Sequence, residues 1–167
     1  MNRPQTNEYS GQVGNYITLV SGDVIELLQR QATEFPEFLS ELSEKADYAY
    51  APGKWTIKEM VGHIIDTERI FTYRLTAFAR GEHSPLPGFE QDDYVANANF
   101  SSRSLLNLSE EFGLLRKANL YLYRSLSEEE LDRTGLAAER KISVRAILFA
   151  TAGHLIYHTQ IIKDRYL

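Results

Sequence analysis

The segment GHLIYH, residues 153–158, lies inside the apolar run AILFATAGHLIYHTQII, so two of the chain's four histidines, His154 and His158, stand four apart in a hydrophobic setting. On a helix this spacing puts both imidazoles on one face, with Cβ atoms about 5–6 Å apart. They can then share one ion at about 2.0–2.1 Å from each nitrogen. His63, in VGHIID, is the natural third ligand. Three protein nitrogens and an open fourth position describe a catalytic zinc-type site rather than a closed structural one. The competing reading is a set of hydrogen-bonded core histidines, since a buried imidazole without a partner is costly. Asp66, three residues after His63, is the candidate proton acceptor or orienting carboxylate, and its alternative role is a surface pair with Arg69 or Arg74. Glu68 lies off the His63 line and reads as structural, Tyr157 and Gln160 flank the histidine pair, and His83 in the loop after Gly81 reads as solvated.

The surroundings of these histidines exclude other chemistries. The glutamate of H-E-x-x-H is missing between His154 and His158, which removes the base of a metalloprotease. No Glu-x-x-His occurs, which argues against a ferritin-like di-iron centre, and neither a Walker loop nor G-x-G-x-x-G is present. Cysteine is absent, so a metal must rely on His, Asp, Glu or backbone oxygen. A net charge of −5 argues against a nucleic-acid surface. The N-terminus lacks the apolar core of a signal peptide and no stretch approaches 18 apolar residues, so the sequence reads as a soluble, cytoplasmic protein with no membrane partner.

Four amphipathic stripes must position the site. The first runs through Val24, Leu27, Leu28, Phe35, Phe38, Leu39 and Leu42, capped by Ser21 or Asp23 and kinked at Pro36. The second opens with a capping box, Thr56 and Glu59, and continues through Met60, Ile64, Phe71, Leu75 and Phe78 to end before Gly81. The third carries Leu105, Leu108, Phe112, Leu115, Leu122 and Leu126, interrupted by Asn119. The fourth starts after Ser143 and lines up Ile147, Thr151, His154, His158 and Ile161. No segment alternates with period two for long enough to predict a strand. The expected fold is all-α, a four-helix bundle in a single domain over residues 1–167. Short links join helices one to two and three to four, whereas residues 81–101 are long enough to cross the bundle, which allows helices two and three to run parallel. Residues 1–20, with Tyr9 and Tyr16, form an N-terminal arm whose docking the pattern does not fix.

Three stretches, APGKWTIKEMVGHIIDTERIFTYR, PLPGFEQDDYVAN and SVRAILFATAGHLIYHTQIIKDRYL, together resemble the DinB-like (YfiT-like) superfamily of bacterial metal-binding four-helix bundles, from about Tyr16 to Leu167. The resemblance implies an up-down-down-up bundle, a homodimer, and a divalent ion such as zinc or nickel held by His63, His154 and His158. It also implies thiol chemistry of the bacillithiol type: a low-molecular-weight thiol bound at the metal and transferred to a small electrophile. The absence of cysteine fits a sulfur supplied by such a thiol. Three alternatives stand beside this one. The first is a hydrolase using metal-activated water with Asp66 as base, the second a non-catalytic, stress-related metal- or ligand-binding protein, and the third a metal-free helical interaction module.

Overall fold

The computed structural model describes all residues, Met1–Leu167. Its helices are α1 (Val13–Thr18), α2 (Val24–Ser40), α3 (Ile57–Ala79), α4 (Gln91–Asn97), α5 (Leu105–Ser125), α6 (Glu128–Asp132) and α7 (Val144–Arg165), with one hairpin of β1 (Thr134–Ala137) and β2 (Arg140–Ser143) between α6 and α7. Side-chain caps fix where the long helices start. Asp23 accepts from the backbone N–H groups of Ile25 and Glu26, Thr56 and Glu59 exchange the reciprocal bonds of a capping box, and Ser104 and Ser143 cap α5 and α7. Each cap satisfies N–H groups that the helix itself cannot and is worth about 1 kcal/mol. Pro36 sits inside α2 without ending it.

Cross-helix pairs set the directions. Arg124 donates to Gln29 and Arg116 to Gln31, so α2 and α5 are antiparallel; Arg116 meets Glu68 and Tyr123 meets Thr72, so α3 and α5 are parallel. His63 faces His154 and Tyr166 reaches Trp55, which makes α3 and α7 antiparallel. The result is the expected up-down-down-up bundle. Its apolar core falls into two clusters, one around Leu28, Leu75, Phe78, Ile147 and Phe149, the other around Phe35, Ile64, Leu108, Phe112 and Leu155. At the level where the clusters part, each long helix contributes a buried polar residue: Gln31, Glu68, Arg116 and His154.

Three expectations are corrected. A hairpin exists, and its two-residue turn explains why no signal announced it: Ala138 and Glu139 both have positive φ, 51° and 62°, where Asn-Gly or Asp-Gly is the usual choice. The links of the first and last helix pairs are not short, because residues 41–56 include the turn Ser43–Lys45 and residues 126–143 include α6 and the hairpin. In the second half of α5 the buried positions are Arg116, Leu120 and Tyr123, while Leu115, Leu122 and Leu126 sit half-buried at the flanks. Asn119, the interruption in that stripe, turns towards Glu68 and donates to it. The N-terminal arm is docked: α1 packs along α7 with Ile17 fully buried. The crossing segment is pinned to the hairpin by Leu86, which donates to the Leu136 carbonyl and accepts from Ala138. No helix is long and apolar enough to cross a membrane.

The strained turn yields the first prediction. Left-handed backbone costs a non-glycine residue about 1 kcal/mol, and the Glu139 side chain makes no hydrogen bond or ion pair. Glu139→Gly is therefore expected to stabilise the protein by about 1 kcal/mol in chemical denaturation, and a loss of stability would show that the turn is not held in this conformation.

Candidate metal centre

α3 supplies His63 and α7 supplies His154 and His158, one turn apart, and all three are buried, at 3 %, 5 % and 6 % exposure. One ligand nitrogen from each lies within 4.8 Å of the other two. The Nε2 atoms of His63 and His154 are 3.1 Å apart. Two nitrogens bound tetrahedrally to one ion at zinc distances would be separated by about 3.3–3.4 Å, so the cluster fits an ion with little movement. His158 Nδ1 is buried without a hydrogen-bond partner, and no carboxylate bonds to any of the three rings. Buried polar atoms are usually paired, so a free ring nitrogen in this cluster is available to a ligand. The residues present therefore suit a divalent cation.

Burial keeps the cluster uncharged. Loss of solvation pulls His63 down to about 4, against the opposing pull of the Asp92 carboxylate, and His158 down to about 3 with help from His63. His154 is held well below the ordinary histidine range, first by burial and then by His158, His63 and Arg116. Neutral imidazole is the form that binds a metal, so the desolvated site keeps its ligands ready.

Close packing builds this environment. A side chain at Gly153 would place its Cβ 2.0 Å from the Tyr16 carbonyl oxygen, so glycine before His154 lets α1 lie directly on α7. At Gly62 a Cβ would come within 2.5 Å of the Phe100 ring, which lets the crossing segment close over α3 beside His63. The Tyr16 ring then stands edge-on to His154 at 5.2 Å between centroids, and Trp55 lies 4.8 Å from His63. Below His154, Gln31 donates to the Ala152 carbonyl and accepts from Arg116, which forks onto both oxygens of Glu68 at 2.7 and 2.8 Å. On the other side His158 forms part of the wall of a cleft of about 690 Å³, together with Tyr16, Tyr50, Trp55, Asp92 and Tyr157. The cluster is thus closed by protein on one side and reachable from a ligand-sized space on the other.

The other predicted residues are dispersed. Asp66 lies outside the cluster, its carboxylate 3.3 Å from Arg69 and its pKa raised by burial against the pull of that arginine. Glu68 belongs to the buried Arg116 pair. Tyr157 lines the cleft, Gln160 faces away and donates to Asp164, and His83 is exposed in its loop. Asp92, Tyr16 and Trp55 are the site residues that sequence reasoning missed. Asp92 stands in the acidic crossing segment, and nothing in spacing alone ties α4 to the histidines.

A helical bundle that gathers three buried histidines at the edge of a cleft is the class this fold and site define. The chain belongs to the DinB superfamily, which matches residues 27–162. No individual curated protein matches it by sequence. Among solved structures it is similar to YfiT from Bacillus subtilis, described as a probable metal-dependent hydrolase with an unusual four-helix bundle topology. That likeness has a TM-score of 0.72 at 15 % identity and covers 97 % of this chain and 92 % of the other. A second similar structure is a mycothiol-dependent maleylpyruvate isomerase, with a TM-score of 0.56 at 16 % identity over 93 % of this chain and 65 % of that one. At these identities the likeness is one of fold.

The depressed histidines predict a pH dependence of the metal-free protein. Above pH 6.5 neither the folded nor the unfolded chain is protonated at these positions. Below it the unfolded chain takes up protons first, and stability falls until the folded-state values near 4 and 3 are reached. Each histidine contributes a slope of about 1.4 kcal/mol per pH unit in that window. Denaturation of wild type and His158→Gln across it should show the shallower slope in the variant, and equal slopes would contradict the burial of a neutral ring.

Proposed function

We propose that this protein is a divalent-metal-dependent enzyme in which His63, His154 and His158 hold the ion, zinc or nickel being suitable, and that it transfers a low-molecular-weight thiol to a small electrophile. The observation that carries the proposal is the convergence of three uncharged, buried imidazoles, one with an orphaned Nδ1, beside a cleft large enough for an organic ligand. An ion held there would supply Lewis acidity, lowering the pKa of a thiol or water bound to it.

The protein's own residues would do the rest. The histidines remain neutral at physiological pH and fix the ion's place between α3 and α7. Tyr16, Trp55 and Tyr157 supply aromatic surface on which the carbon skeleton of a thiol or electrophile can pack, and Tyr16 with Trp55 shields the histidine rings from water. No carboxylate is hydrogen-bonded to a histidine, and a thiol, which ionises near pH 8.5 even in water, has less need of a protein base than water has. Asp66 is tied to Arg69, so its substitution should matter little.

Hydrolysis is the second reading, favoured by one observation: Asp92 lines the same cleft as His158 and acts electrostatically on His63. In that reading Asp92 takes the base role, and the electrophile is an ester or amide. We also propose that the protein acts in the cytoplasm and forms a homodimer, the dimer being supported by the exposed Leu106, Leu114 and Tyr121 on α5, which a second copy would cover.

The test is conjugation of a small thiol such as bacillithiol to a chromogenic haloarene by zinc- or nickel-loaded protein, run beside thiol-free ester cleavage. Conjugation should fall at least about a hundredfold in His63→Ala and stay within about twofold of wild type in Asp66→Asn. Conjugation that survives His63→Ala would refute the proposal. Ester cleavage without thiol, lost in Asp92→Asn, would move the assignment to hydrolysis.

A further inference from the structure

Arg74 of α3 is only 9 % exposed, yet no carboxylate pairs with it. The other buried cations all have an acid: Lys58 pairs with Asp47, Arg116 with Glu68 and Arg145 with Asp132. One nitrogen of Arg74 donates to the Pro87 carbonyl at 2.8 Å, and the guanidinium lies 6.0 Å from the Phe89 ring centroid. Its remaining guanidinium nitrogens make no hydrogen bond to protein. Those nitrogens are not enclosed by protein but open onto the cavity that Arg74 lines, so a largely buried cation without a counter-ion presents free donors to whatever enters there.

What that would be is indicated by the space around it. Arg74 lines a cavity of about 400 Å³ whose wall also carries Arg140 and Lys141 from β2, and neither of these forms an ion pair. The exposed Glu90 is the one acidic side chain there, so positive charge prevails. Gln12 and Tyr16 line both this cavity and the histidine cleft. Phe71 forms another part of the wall, and its ring centroid is 6.0 Å from that of His154. Gln12 and Tyr16 thus stand between two adjoining spaces, and a molecule seated in the cavity that extends past them would enter the histidine cleft.

We infer that this cavity is an anion-binding subsite, in which a carboxylate of an elongated small-molecule substrate or thiol docks on Arg74 with Arg140 and Lys141 beside it. A planar guanidinium with unused donors matches a carboxylate through two parallel hydrogen bonds, which a lysine could not reproduce. The docking of the anion stands on Arg74 alone; its connection to reaction at the histidines rests on the function proposed above.

The experiment separates the two. In the first arm the metal-free protein is titrated calorimetrically with hexanoate and with hexanol. Hexanoate should bind at least about tenfold more tightly, the gain of one charge-assisted contact. That preference should vanish in Arg74→Met and be partly retained in Arg74→Lys. Equal binding of the two probes to wild type, or a preference that survives Arg74→Met, overturns the subsite; the wild-type comparison decides even if the variant does not fold. In the second arm the cobalt-loaded protein is titrated with 6-mercaptohexanoate and 6-mercaptohexanol, read by thiolate-to-cobalt absorption. A band with both thiols and no preference for the acid again overturns the subsite while supporting thiol binding. No band with either, beside a retained hexanoate preference, supports the subsite and refutes the thiol reading.

Discussion

Three uncharged imidazoles gathered within 4.8 Å of one another in a desolvated core are the constraint around which this bundle is arranged. Burial first, and the neighbouring histidines and Arg116 after it, push their protonation far below neutrality, so the site is held by shape rather than by charge. The shape comes from two glycines. Gly153 admits the backbone of α1 against α7, and Gly62 admits Phe100 against α3, and together they bring Tyr16 and the crossing segment over the histidines. The same closure leaves His158 facing a cleft, so access is retained on one side only.

The polar layer beneath His154 is the second determinant. Arg116 and Glu68, almost wholly buried, form a forked pair completed by Gln31 and Asn119, so the carboxylate and the guanidinium are well satisfied. Such a pair adds little net stability compared with apolar residues of the same volume, but a shift of any helix would leave a charge unpaired. Gln31 also holds the Ala152 carbonyl, two residues before His154. The layer thereby ties the register of α2, α3 and α5 to the segment of α7 that carries two of the three histidines.

Much of this arrangement was legible in the sequence. Amphipathic periodicity located the four long helices, the Thr56–Glu59 box fixed the start of α3, and the length of residues 81–101 allowed the parallel pair. The i, i+4 spacing of His154 and His158 with His63 on another helix indicated the cluster that the fold assembles. The hairpin was hidden because Ala138 and Glu139 give no turn signal despite their left-handed backbone. Tyr16 and Asp92 were hidden for another reason: their roles depend on where an arm and a loop come to rest, and local periodicity carries no information about that. Asn119 was visible as an anomaly on an apolar stripe, but its partner Glu68 lies 51 residues away and only tertiary packing identifies it.

The central claim is that the histidine cluster exists to hold an ion. The most direct measurement is the metal content, by plasma mass spectrometry, of untagged protein offered zinc or nickel and then desalted, beside His154→Ala treated in the same way. About one divalent ion per chain in wild type and none in the variant is the predicted result. Wild-type protein that stays empty would contradict the account and leave three buried histidines as part of the packed core.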